Sequence, residues 1–195
     1  MNARHVLLVA VVVLTVFLDS SAVYAADGFY VGVGGGVSLF EDACQGSTGS
    51  CEDSGRATTV YGGRQFGPDV GPNMGLELAY VSLGTMTATD PTLGSFEAKA
   101  KGYSLTGIGT VPVVGPLSLI GRVGLFVSSL QARVSGASSS ESARNSTVTV
   151  GLGLRWTFSD HFFARLEWEL FSDLGDDETG ILDVDMFSAG VGFSF

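Results

Sequence analysis

From Gly28 onward apolar residues recur at every second position, which is the period of a β-strand and not of a helix. The clearest run sets Val148, Val150, Leu152, Leu154, Trp156 and Phe158 on one face, with Thr147, Thr149, Gly151, Gly153, Arg155 and Thr157 between them. Phe162, Ala164, Leu166, Trp168 and Leu170 then alternate with Phe163, Arg165, Glu167 and Glu169. A last run sets Phe187, Ala189, Val191, Phe193 and Phe195 against Ser188, Gly190, Gly192 and Ser194. One face is apolar and aromatic, and the other is small, polar or charged.

Turn signals between these runs predict eight strands, at 28–40, 56–66, 73–84, 96–110, 117–133, 146–158, 162–172 and 183–195. The connections 67–72, 111–116 and 159–161 are short, whereas 41–55, 85–95, 134–145 and 173–182 are longer and rich in Ser, Thr, Gly and acid. Short turns at one end and long loops at the other are the pattern of a membrane barrel. A soluble sandwich alternates in the same way, but there the apolar faces meet in a core. Strands of about ten residues or more suit a tilted crossing of the hydrocarbon layer. The even strand count and the aromatics near strand ends point the same way. The expected fold is all-β, an eight-stranded antiparallel up-and-down transmembrane β-barrel over residues 26–195. In hydrocarbon every backbone N–H and C=O must be paired, and strands achieve this only in a sheet closed on itself.

The first 25 residues read differently. Arg4 and His5 begin a segment whose apolar stretch, Val6 to Leu18, is followed by small residues from Ser20 to Ala26. The stretch is shorter than the roughly 18 residues of a spanning helix, so it reads as a cleaved secretory signal. Val23 and Ala25 favour a cut after Ala25, with Ala26 the neighbouring alternative.

Composition narrows the function. The 195 residues carry 20 Asp and Glu against 10 Lys and Arg, a formal net charge of -10. Such a chain repels phosphate backbones, so nucleic acid is not an expected partner. Mean hydropathy is +0.35 although the exported part has no run long enough for a helical span. The Gly-rich stretch Gly32 to Gly36 has neither the spacing nor the following helix of a dinucleotide loop, and no cofactor is expected.

Four segments carry a resemblance: Tyr61 to Gly84 (YGGRQFGPDVGPNMGLELAYVSLG), Ala164 to Leu170 (ARLEWEL), Gly28 to Ser38 (GFYVGVGGGVS) and Gly190 to Phe195 (GVGFSF). The chain resembles the outer membrane protein A-like and opacity-type eight-stranded barrels of Gram-negative bacteria. The resemblance implies a bacterial outer-membrane location, with periplasmic termini and extracellular long loops. It also implies that Phe187, Ala189, Val191, Phe193 and Phe195 form the signal read by the outer-membrane assembly machinery. With the sequence ending at Phe195, neither a downstream periplasmic domain nor anchoring through one is expected.

Arg64, Glu77, Arg122, Arg155, Arg165, Glu167 and Glu169 are assigned by parity to the face opposite the lipid. Charges inside a narrow barrel are expected to pair, because an unpaired one there is costly. They read as an ion-paired plug in preference to a gate or ion path, since barrels of eight strands are just filled by side chains. Cys44 and Cys51, separated by six residues in the first long loop of an exported chain, are expected to form a local disulfide. Lys99, Lys101 and Arg133 are expected to face outward near the long loops, where they could meet lipopolysaccharide and other lipid phosphates. The loops carry Glu41, Asp42, Glu52, Asp53, Asp90, Glu141, Asp173, Asp176, Asp177 and Glu178, with Asp183 and Asp185 just beyond, which read as a solvated acidic surface and not as a calcium loop, so no metal is expected. The single histidine after the leader, His161, sits in the short turn with Ser159 and Asp160, away from the long loops, so no catalytic site is expected. Two functions remain. The first is a structural or adhesin-like surface protein that meets a host or matrix ligand through its loops. The second is a small passive channel or ligand carrier that works through its lumen.

Overall fold

A computed structural model of the chain describes residues 28–40, 51–67, 71–90, 94–134, 141–174 and 182–195. The expected leader, with its cleavage at Ala25 or Ala26, lies outside the described residues, as do Cys44 and the side chains of Cys51 and Arg133. Of the acidic positions read as loop, Glu41, Asp42, Asp176, Asp177 and Glu178 also lie outside, whereas Glu52, Asp90, Glu141 and Asp173 fall within strands.

Eight long strands carry the described chain: β1 (Gly28–Phe40), β2 (Ser54–Phe66), β3 (Asn73–Asp90), β4 (Gly94–Val114), β5 (Leu117–Val134), β6 (Glu141–Thr157), β7 (Phe162–Leu174) and β8 (Leu182–Ser194). The two-residue strand Cys51–Glu52 pairs with Ala88 and Thr87 of β3 and prolongs the β2 edge. Each long strand pairs antiparallel with the next, and β8 returns to pair with β1, so the sheet closes. No helix occurs among the described residues.

Backbone partners can be followed once round the barrel. Tyr30 lies opposite Gly63, then Glu77, Thr106, Gly124, Thr149, Phe171 and Val184 follow in turn, and the circuit re-enters β1 at Phe40, ten residues beyond Tyr30. A stagger of this size over eight strands tilts them by about 40° and holds the wall roughly 8 Å from the axis. Every residue of the circuit faces inward: the seven with side chains are buried and the other two are glycines.

The outer face is the inverse of a soluble surface. Leu78, Leu105, Leu125, Leu152 and Leu166 are each more than half exposed, while Glu77 and Arg165 are 1% and 3% exposed. So wide an apolar surface around a charged interior fits a wall in contact with hydrocarbon and not a sandwich core. On β1 the outward positions run from Phe29 to Leu39, which at this tilt spans about 25 Å of height, the thickness of the apolar band of such barrels. At the short-turn end Trp156, Phe158, Phe162, Phe193 and Phe195 form a chain of ring contacts with centroids 5.1 to 6.2 Å apart. Towards the loops Tyr80 and Tyr103 pair at 5.4 Å.

The strands run further towards the loops than the pattern predicted. β3 reaches Asp90, where it pairs with Gly94, and β6 begins at Glu141. The polar residues of Thr85–Asp90 and 142–145 read as loop, yet ladder pairing with β4 and with β5 respectively holds these segments extended. At the other end the segment 111–114 is strand, and Val114 pairs with Leu117 across a tight turn at Gly115 and Pro116.

Glycine has a defined use where rings need room. Tyr61, Gly32, Gly192 and Phe163 are successive partners across β2, β1, β8 and β7. A Cβ on Gly32 would fall on the Tyr61 ring, and one on Gly192 on the Phe163 ring. The two glycines thus let two aromatic rings lie flat against the wall, filling a barrel too narrow for four full side chains in that row.

Candidate functional site

The charged interior is built on alternate strands. Glu77 of β3 accepts hydrogen bonds from Tyr30 of β1 at 2.9 Å, Arg122 of β5 at 2.7 Å and Arg165 of β7 at 2.6 Å. In a ring of eight, β1 stands opposite β5 and β3 opposite β7, so these four side chains reach inward from four sides and meet on one carboxylate. The inward parity and the ten-residue stagger bring them to one level although they lie far apart in sequence.

Glu167 and Glu169, next on the inner face of β7, extend the cluster. Glu167 accepts from Arg122 at 2.9 Å and from Arg165 at 2.5 Å. Glu169 lies 3.5 Å from Arg122 and accepts from the Thr149 hydroxyl at 2.7 Å. None of the five charged side chains exposes more than 5% of its surface. Each guanidinium has two or more carboxylate contacts, which is what a buried charge needs if its desolvation is to be offset. The face of Arg165 also covers the Tyr61 ring, 4.5 Å from its centroid.

Two further layers close the lumen. Towards the turns, Arg155 donates to Gln65 at 2.9 Å and Ser194 at 3.2 Å and lies 3.9 Å over the Phe163 ring, with no carboxylate partner among the described residues. Towards the loops, Phe126 and Phe171 meet at 4.9 Å, packed with buried Leu83, Leu174, Val184 and Met186. The interior is therefore an apolar seal, an ionic bridge and a polar layer stacked along the axis.

Of the seven charges assigned to the interior by parity, the structure gathers Glu77, Arg122, Arg165, Glu167 and Glu169 and sets Arg155 apart, while Arg64 is on the other face. It shares the outward parity of Val60 and lies between two outer rings, 5.1 Å from both the Phe29 and Phe66 centroids. The reason is local: Val60 and Tyr61 are both apolar, so alternation in β2 does not reveal which parity faces lipid, and Tyr61 takes the inside. Sequence reasoning also passed over Tyr30, Thr149 and Gln65. Tyr30 sits between Phe29 and Val31, where a polar tip on one parity was the only signal.

Other expected positions lie on the outer wall. Lys99 and Lys101 point outward on β4 beyond Tyr103, and Arg133 is opposite Glu97 in the ladder. Phe187, Ala189, Val191, Phe193 and Phe195 all take the outward parity of β8. His161 is exposed in the β7 approach turn, its Nδ1 3.1 Å from the Ser194 carbonyl and its ring stacked on Phe193 at 5.4 Å.

A closed barrel of eight strands, apolar outside and charged within, invites comparison with known proteins. The sequence model of the OmpA-like transmembrane domain matches residues 24–195, nearly the whole chain. The chain belongs to the OmpA-like transmembrane domain family. No curated protein matches it in sequence. Among solved structures, the OmpA-like chain is similar to Ail, the attachment invasion locus protein of Yersinia pestis, at a TM-score of 0.58 and 16% identity, over 87% of this chain and 99% of Ail. That Ail structure is a complex with the heparin analogue sucrose octasulfate. Neisserial surface protein A matches at 0.60 and 11% identity, over 86% and 97% of the two chains. The outer membrane protein OprG of Pseudomonas aeruginosa matches at 0.55 and 15%, over 88% and 97%. At these identities the likeness is one of fold. The OmpA-like chain is an outer-membrane barrel.

Proposed function

We propose that this barrel is a non-enzymatic surface protein, with periplasmic termini and extracellular long loops, that holds its loops out as a structural and adhesin-like platform. The observation that carries the reading is the filled interior: a carboxylate bonded from β1, β5 and β7 leaves transport a poor use of the lumen. Function then falls to the loops and the outer wall. The likeness to Ail gives one instance of this fold meeting a sulfated ligand, but the acidic loops of the present chain suit a cationic partner on a host cell or matrix better.

Two outer features support a membrane role alongside. Lys99 and Lys101 above the Tyr80 and Tyr103 rings suit lipopolysaccharide phosphates, with Arg133 joining them from β5. The outward file from Phe187 to Phe195 suits recognition of the last strand by the assembly machinery.

The deciding experiment pairs conductance with binding. Refolded protein in a planar bilayer is expected to give little current, and cells bearing it are expected to lose matrix binding when 41–55 and 173–182 are trimmed. Large stable currents with binding unchanged would overturn the platform in favour of a passive channel. Replacing Lys99, Lys101 and Arg133 with Gln is expected to lower lipopolysaccharide retention, and unchanged retention would remove that part of the reading.

A further inference from the structure

Arg64 stands on the outer wall one outward position from the end of β2, at the turn end of the barrel. Its guanidinium is flanked by the Phe29 and Phe66 rings, each within cation–π range at 5.1 Å. Across the ladder its neighbours are Phe29 and Leu76, and both are more than half exposed to the surroundings of the wall. A charge at this depth is tolerated because the long side chain carries its head to the interface.

We propose that Arg64, with Phe29 and Phe66, forms a clamp for the phosphate of a membrane phospholipid in the leaflet at the turn end. The two rings lie against the guanidinium and help to set the plane in which its N–H donors lie. A guanidinium has five N–H donors in a rigid fork whose spacing matches two phosphate oxygens, so contacts within the protein do not exhaust it. The surrounding apolar and aromatic side chains suit the acyl chains attached to the same headgroup. The clamp sits at the opposite end of the barrel from Lys99 and Lys101. On a chain of net charge -10, a positive group at each rim favours anionic lipid headgroups in both leaflets.

The test observes the Arg64 Nε resonance of the full barrel in maltoside micelles while short-chain phosphatidylglycerol is added. A saturable shift is expected at Arg64 and at the Phe29 and Phe66 rings, with none from diacylglycerol of the same chain length and none from inorganic phosphate at equal concentration. Arg64→Lys keeps the charge but loses the fork, and the lipid affinity read at the Phe rings is expected to fall about tenfold. Arg64→Gln should abolish the saturable shift, whereas Lys99→Gln with Lys101→Gln should leave it intact. Gel migration of unheated samples confirms that each variant has folded before it is titrated. A flat titration of the wild-type chain, an equal response to diacylglycerol, or an unchanged affinity in Arg64→Lys would each overturn the clamp. Saturation by inorganic phosphate alone would replace the lipid with a free anion.

Discussion

Glu77 and Arg165 meet at 2.6 Å although they belong to β3 and β7, which stand opposite each other in a ring of eight. The contact crosses the barrel instead of running along its wall. It is joined at the same carboxylate by Arg122, so the lumen is tied across in two directions.

Removing the shared carboxylate should be the most costly change in the interior. Glu77→Ala leaves Arg122 and Arg165 buried with one acceptor fewer each, and a loss of about 3–5 kcal/mol is expected in urea unfolding of the refolded barrel. Tyr30→Phe deletes only one hydrogen bond to the same group and should cost about 1 kcal/mol. Equal losses in the two variants would mean that the ion pairs contribute nothing beyond the tyrosine bond.

The apolar seal and the ionic bridge are barriers in series. Phe126→Ala with Phe171→Ala should destabilise by several kcal/mol, on the order of 3–5 for each ring, yet leave bilayer current low because the charged layer still blocks the axis. Adding Glu77→Ala should raise the current. A large current from the phenylalanine pair alone would place the barrier entirely at the loop end.

The glycine row predicts a paired effect. Gly192→Val drives a side chain into the Phe163 ring and should cost about 1–3 kcal/mol, with part recovered when Phe163→Ala is added. Strictly additive losses would show that the ring and the glycine do not share the space.

For the cysteines the expected outcome is chemical. Cys44 and Cys51 in the unreduced protein should resist alkylation, and their reduction should lower stability by about 2–3 kcal/mol on the chain-entropy argument. Full labelling without reductant would rule out the bridge.

Most of this architecture is legible in the sequence because a membrane barrel writes its two faces at a period of two. Val148 to Phe158 and Phe162 to Leu170 mark strands, turn and orientation without further information. Legibility fails where both parities carry the same chemistry. In β2 the neighbours Val60 and Tyr61 are both apolar, so parity assigns Arg64 to the inside whereas it lies on the outer wall. Towards the loops Thr85 to Asp90 set three Thr on one parity against Met86, Ala88 and Asp90 on the other, too short and mixed a pattern to mark a strand, so pairing, which is a property of two strands, decides what one strand's composition cannot. The cluster itself was legible only as a set of inward charges. That Glu77 takes three donors, one of them Tyr30, follows from a stagger of ten residues that depends on every ladder in the circuit.

That stagger gives the cluster a second meaning. The bore of a closed sheet is fixed by strand number and stagger together, so a slip of two residues where β8 meets β1 would make a wider or a narrower cylinder with all side chains still facing correctly. Alternation alone does not detect such an error. Glu77 and Arg165 do, because their reach suits one width only, and in a misclosed ring the buried charges would be stranded. The seam between the first and last strands is in effect inspected from a distance, by a pair of residues that belong to neither.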